Sequence, residues 1–180
     1  MSKNIFIETK HLLLRQWKMD DTLPYAALNA DLKVMEHFPS TLTVEESSIH
    51  LKKMQTSIEE KGFGLFALEL KETGNFIGFT GLSVPNFESD FTPCIEIGWR
   101  IASPYWRNGY AFEAASACLE FGFSQLGLSE IFSFTACPNH PSENLMIKLG
   151  MKKWGHFDHP KLPDGHHLKT HVVYSINKNH

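Results

Sequence analysis

The sequence predicts a mixed α/β or α+β fold, one sheet layered with helices in a single domain spanning residues 1–180. Three observations predict it. The first half reads as strands in hairpin order, with alternating apolar residues broken by turn sequences. The second half alternates strand and helix. The chain has 180 residues, 42% hydrophobic and 21% charged, which suits one domain with a sizeable core.

In chain order, Ile5 to Trp17 reads as a first strand pair element, with Leu12, Leu14 and Gln16 on one face and Leu13, Arg15 and Trp17 on the other. Asp20 and Asp21 are N-cap candidates for a helix from Thr22 to Ala30. Thr43 and Glu46 have capping-box spacing before a second helix carrying Val44, Leu51, Met54 and Ile58, with Gly62 as its stop. Phe63 to Leu70 and Phe76 to Val84 are strands joined by a short Gly-containing turn, Lys71 to Asn75. Pro85 to Pro93 is a loop, and Cys94 to Ile101 a third strand. A long helix is predicted from Gly109 to Gln125. A strand over Ile131 to Ala136, a helix over Ser142 to Leu149, and strands over Met151 to Phe157 and His171 to Ile176 complete the chain.

Composition narrows the function. A formal net charge of -3 supplies no general basic field for nucleic acid or an anionic membrane. The longest apolar runs are far short of a membrane span, and the N-terminal residues lack a signal-peptide stretch. Cys94, Cys118 and Cys137 are odd in number and widely spaced, as expected of reduced thiols in a cytoplasmic protein.

The chemistry concentrates between Ile95 and Ala114. A strand enters a Pro-marked turn, then a loop with Gly109, then a helix. The first turn of a helix has backbone N–H groups without partners and partial positive charge. Gly109 and Ala111 would let a phosphate approach that backbone, and Arg107 adds a cation. On turn chemistry alone, the glycine serves the turn equally well. No G-x-x-x-x-G-K-[ST] or G-x-G-x-x-G pattern is present.

Glu96-Ile97-Gly98-Trp99, Pro104, Tyr105-Trp106, Gly109-Tyr110-Ala111 and Glu113-Ala114 resemble the coenzyme A signature of the GNAT N-acetyltransferases, and especially the Rim-type ribosomal-protein-alanine acetyltransferase branch. Two positions depart: Arg107 stands at a usual Gly and Asn108 at a usual basic residue. A second stretch, Asn139 to Met151, is similar to the family's N-x-x-S-x-x-V-[LM]-x-K-x-G-[FM]. By itself it reads as an N-capped amphipathic helix with a Gly stop.

The resemblance implies a GNAT fold: a central mixed, mostly antiparallel twisted sheet of six to seven strands with about four helices. It implies acetyl-CoA as cosubstrate, an amine acceptor and direct acetyl transfer. It places the cofactor on Ile101, Trp106, Arg107, Asn108, Gly109, Tyr110, Ala111, Asn139 and Ser142, with the backbone at Ile101 and Ala102 orienting the acetyl carbonyl. The acceptor stays open among protein N-termini, polyamines, antibiotic amines and amino acids, and the chain between monomer and homodimer. The alternative is a non-catalytic acyl-CoA-binding or regulatory module.

Catalytic candidates follow from the need for a neutral amine and a protected leaving thiolate. Glu96 is the first base candidate, placed opposite the face of Ile95 and Ile97; a solvated or ion-paired strand carboxylate is the plainer reading. Ser142 is a donor candidate, since the Tyr that many family members carry four residues on is Met146 here. Five of the ten histidines lie between His156 and His171, in and beside a Pro- and Gly-rich loop. There His159 is a candidate base or substrate contact. His167 and His171 lack a joining Cys and sit at strand spacing, so no metal site is expected. Phe87 and Phe91 are core or pocket wall, and Glu88 and Asp90 would favour a cationic acceptor.

Overall fold

The N-terminal run folds back on itself at Thr9 to His11, closed by the Thr9 N–H donating to the Leu12 carbonyl at 3.0 Å. It therefore makes two strands, β1 (Ile5–Glu8) and β2 (Leu12–Arg15). The computed structural model describes residues 4–178. The further strands are β3 (Leu65–Leu70), β4 (Phe76–Ser83), β5 (Glu96–Ile101), β6 (Glu130–Ala136), β7 (Lys152–Asp158) and β8 (Thr170–Asn177). The helices are α1 (Thr22–Ala30), α2 (Val44–Lys61), α3 (Tyr110–Ser124) and α4 (His140–Lys148). The expected mixed, mostly antiparallel sheet flanked by four helices is present. It has eight strands in the order β1-β2-β3-β4-β5-β6-β8-β7, above the six to seven expected.

The helix ends follow local chemistry, with one exception. Thr43 and Glu46 form the capping box of α2, and Gly62 closes it at φ 74°. At α1, however, the Asp21 side chain does not cap. Its carboxylate takes two hydrogen bonds from the Arg15 guanidinium, at 2.7 and 2.9 Å. Arg15 is only 3% exposed and also holds Glu69 at 2.5 Å. A buried guanidinium needs carboxylates more than a helix end needs a cap.

Leu12, Leu14, Phe66, Ile77, Leu82 and Ile97 are fully or almost fully buried in the main core between sheet and helices. A smaller aromatic cluster of Phe91, Phe132 and Val173, with Phe87, Phe134 and Phe157 against it, packs beside the other end of the sheet.

One feature of the sheet positions the site. Strands β5 and β6 are its one parallel neighbouring pair, and they are in register only at Glu96 and Phe132. The Phe132 N–H reaches the Ile95 carbonyl at 2.9 Å, and the Ser133 hydroxyl reaches the Ile97 carbonyl at 2.9 Å. Beyond Ile97 the two strands part, leaving a seam between β1–β5 and β6–β8. The two faces of β5 then serve different elements. Trp99 is hydrogen-bonded to Ser142 of α4, whereas Arg100 is hydrogen-bonded to Asn29 of α1. Glu96 and Gly98 share the face of Arg100 by strand alternation.

Candidate active site

The loop into α3 is a concentration of free donors. Gly109 is the N-cap of α3 at φ 83°, with no side-chain cap. The amides of residues 107–112 meet no acceptor among the described residues. Asn108 turns its side-chain amide onto the Tyr105 and Trp106 carbonyls, both at 3.1 Å, which holds the neighbouring acceptors away from that row. Arg107 has φ 63°, so it adopts the left-handed conformation that a glycine supplies without a Cβ penalty. The backbone there is one a glycine could equally adopt. Six consecutive amides at a helix N-terminus fit a pyrophosphate.

The start of α3 is anchored from far away in sequence. Glu113 accepts from the Thr9 hydroxyl at 2.6 Å, from the His11 N–H at 2.7 Å and pairs with the His11 ring at 2.7 Å. Burial would raise its pKa, but the His11 and Thr9 hydrogen bonds outweigh that and hold it below the usual range. Tyr110 lies edge-on to His11, with ring centres 6.1 Å apart.

Two backbone groups at the end of β5 already have partners. The Ala102 N–H donates to the Ile77 carbonyl at 2.9 Å, and the Ile101 carbonyl accepts from the Trp106 indole at 2.7 Å. The Ala102 N–H is therefore taken up within the protein. The strand's direct continuation into the Ser103–Tyr105 turn causes this.

On α4, Asn139 caps the helix by accepting from the Ser142 N–H at 3.3 Å, and its amide donates to the Thr135 hydroxyl at 2.9 Å. Both ends of that side chain are in structural use. The Ser142 hydroxyl oxygen accepts from the Trp99 indole at 3.2 Å, which leaves its own proton free to donate toward the seam. Met146 is 1% exposed in the core, and its thioether has no proton to donate.

Glu96 stands where β5 and β6 begin to separate. Burial pushes its carboxyl from the ordinary 4.5 up to about 7, against the opposing pull of the Ser83 hydroxyl and the Lys161 ammonium. One of its oxygens lies 3.9 Å from where a Cβ on Gly98 would sit, and no other atom lies within 4 Å of that point. A half-buried carboxylate that titrates near neutral pH thus borders an open stretch of strand.

The sequence profile described as "Acetyltransferase (GNAT) domain" matches residues 11–152. The chain belongs to the GNAT acetyltransferase family. It is 30% identical over 171 residues to the uncharacterized N-acetyltransferase YnaD of Bacillus subtilis (strain 168), covering 94% of this chain and 95% of that one. A GNAT-family acetyltransferase structure from Bacillus anthracis superposes with a TM-score of 0.81 at 26% identity, over 98% of this chain and 100% of the other. Mycobacterium smegmatis RimJ, solved in complex with CoA-disulfide, shares the fold at a TM-score of 0.71 and 21% identity, over 92% and 81% of the two chains.

In this acetyltransferase the His-rich loop joins the wall beside Glu96. His159 packs on Phe87 at 4.8 Å and on His171 at 5.0 Å between ring centres. Its Nδ1 accepts from the Lys161 N–H at 3.3 Å. Burial, then the charges of His171 and Lys161, push its pKa down to about 4. His159 is thus a neutral imidazole at physiological pH and a weak base; Glu96 is better matched to that pH. His166 and His167 stack on each other at 4.8 Å. Among the described residues no group of three or more His, Cys, Asp and Glu side chains is placed to hold a metal ion, and no helix is long and apolar enough to cross a membrane. Phe87 and Phe91 pack in the smaller aromatic cluster, with ring centres 6.3 Å apart, while Glu88 and Asp90 are exposed.

Sequence reasoning missed Lys161 and Arg100. Lys161 holds the loop across to Asn86 and lies close enough to act on Glu96.

Proposed function

We propose that this acetyltransferase moves the acetyl group of acetyl-CoA directly onto a primary amine, with Glu96 as general base. The observation that carries the proposal is the Glu96 carboxyl, titrating near 7 beside the open floor at Gly98. The amides of 107–112 and Arg107 hold the pyrophosphate, and the seam between β5 and β6 takes the pantetheine arm. Within the seam, Ser142 borders that arm, and Asn139 supports it by fixing the turn that presents Ser142. Glu96 removes the ammonium proton, directly or through water, so that the nitrogen lone pair is free. The C–N bond then forms at the acetyl carbon as the C–S bond breaks. The Ser142 hydroxyl donates a hydrogen bond to the departing thiolate, which takes up the proton that the nitrogen sheds on becoming an amide. A non-catalytic acyl-CoA module would have no use for a carboxyl held at this pKa.

Two measurements test this. Acetyl-CoA should raise the melting temperature, because it binds the native state. Free CoA thiol should appear when both acetyl-CoA and an accepted amine are present, at a rate that rises as Glu96 ionises. No stabilisation at millimolar acetyl-CoA, or no amine-dependent thiol release across a broad amine panel, refutes the proposal.

A further inference from the structure

Arg100 is a cation with no anionic partner among the described residues. Its Nη1 donates to Asn29 Oδ1 at 2.6 Å, and the Phe38 and Phe79 rings flank the guanidinium at 4.1 and 5.4 Å. Its Nε is buried and meets no acceptor among the described residues, and Nη2 makes no hydrogen bond among them either. The charged or titratable neighbours that its surroundings register are Tyr25 and His50, and no carboxylate is among them. The contrast within the chain is direct. Arg15, the other deeply placed guanidinium, is neutralised by both Asp21 and Glu69.

The Arg100 side chain is nevertheless held firmly. Asn29 is 0% exposed, and its amide donates to the Ser47 hydroxyl at 3.1 Å, which turns Oδ1 toward Arg100. The aromatic faces restrain the guanidinium plane but carry no net charge to neutralise it. The Nε–Nη2 edge is a geometry that accepts a carboxylate through two parallel hydrogen bonds.

The position of this edge suggests the ligand. Arg100 shares a strand face with Gly98, the open position, and with Glu96. Two residues of strand put Gly98 and Arg100 roughly 7 Å apart. We infer that Arg100 is a specificity-determining residue of the acceptor pocket, binding a carboxylate carried several bonds away from the amine that is acetylated. The inference rests on the proposed amine acetylation and names its substrate class: an ω-amino carboxylate, in which the ammonium faces Glu96 and the carboxylate faces Arg100.

The test compares unbranched ω-amino carboxylates, from glycine to 6-aminohexanoate, with their neutral carboxamides, using thiol release by wild type, Arg100→Met and Arg100→Lys. For the longer members, wild-type kcat/KM should favour the carboxylate by about ten- to a hundredfold, the range expected of a hydrogen bond to a charged group. Arg100→Met should bring that ratio to about one through the acceptor KM, with the KM for acetyl-CoA unchanged. Arg100→Lys should retain part of it, and serves as the readout if the Met variant does not fold. A wild-type ratio near one, or a ratio that Arg100→Met leaves unchanged, overturns the inference. A binding arm separates this failure from failure of amine acetylation itself. 6-Acetamidohexanoate should raise the wild-type melting temperature more than its carboxamide does, whether or not any amine is turned over. Equal shifts overturn the carboxylate subsite.

Discussion

Replacing Glu96 with Gln should make the protein more stable and less active at the same pH. The native state favours the protonated carboxyl, whose pKa rises from the ordinary 4.5 to about 7, mainly through burial. The unfolded chain titrates near 4.5. Wild-type stability therefore falls as pH rises between about 4.5 and 7, and the full penalty is present above that window. At about 1.4 kcal/mol per pKa unit, the penalty at pH 8 approaches about 3 kcal/mol. Gln is a neutral replacement of nearly the same shape and does not carry it. A domain of this size gains about 2–4 °C in Tm per kcal/mol, so Glu96→Gln should melt about 6–12 °C higher at pH 8. At pH 4 the two proteins should melt together. Thermal unfolding at pH 4, 6 and 8 reads this directly. In the thiol-release assay the same variant should lose about a hundredfold or more in turnover at pH 8, and the rising limb near pH 7 should disappear. A variant that is no more stable than wild type at pH 8, or that keeps the wild-type pH–rate profile, would refute the reasoning.

Two further substitutions address the phosphate loop. Arg107→Gly removes a left-handed non-glycine residue that costs about 1–2 kcal/mol, against about 0.5–1 kcal/mol of added chain entropy. The expected outcome is a Tm higher by about 1–4 °C together with a several-fold higher KM for acetyl-CoA, and a lower Tm would show that the strain is relieved elsewhere. Gly109→Val puts a β-branched residue at φ 83° beside the row of free amides. Its circular dichroism should stay native while acetyl-CoA no longer raises its melting temperature; an undiminished rise would remove the phosphate from this loop.

What could be read from the sequence depended on how local the physics was. The capping box at Thr43, the stop at Gly62 and the helix beginning at Tyr110 are decided by near neighbours and were legible. The turn between β1 and β2 was not marked as a strand break, because Thr9, Lys10 and His11 include no glycine, proline or asparagine. Glu96 could be picked out by alternation with Ile95 and Ile97. Its pKa could not, since that depends on burial, on Ser83 and on Lys161 from a loop more than sixty residues away. The departure at Arg107 was visible, but its left-handed backbone was not. The Asn139 stretch reads in the sequence as an N-capped helix, and Asn139 caps α4. Arg100 escaped notice because an arginine on an alternating strand looks alike whether water, a carboxylate or a neutral amide receives it. Only the three-dimensional neighbourhood separates it from Arg15.

The parting of β5 from β6 also bears on how the molecule opens. Few backbone hydrogen bonds cross from the sheet half β1–β5 to the half β6–β8, so the two halves are joined chiefly by side-chain packing in the shared core. An acyl-carrier arm lying in it would supply amide partners to both halves. Occupancy should then slow hydrogen exchange on the two flanking strands together.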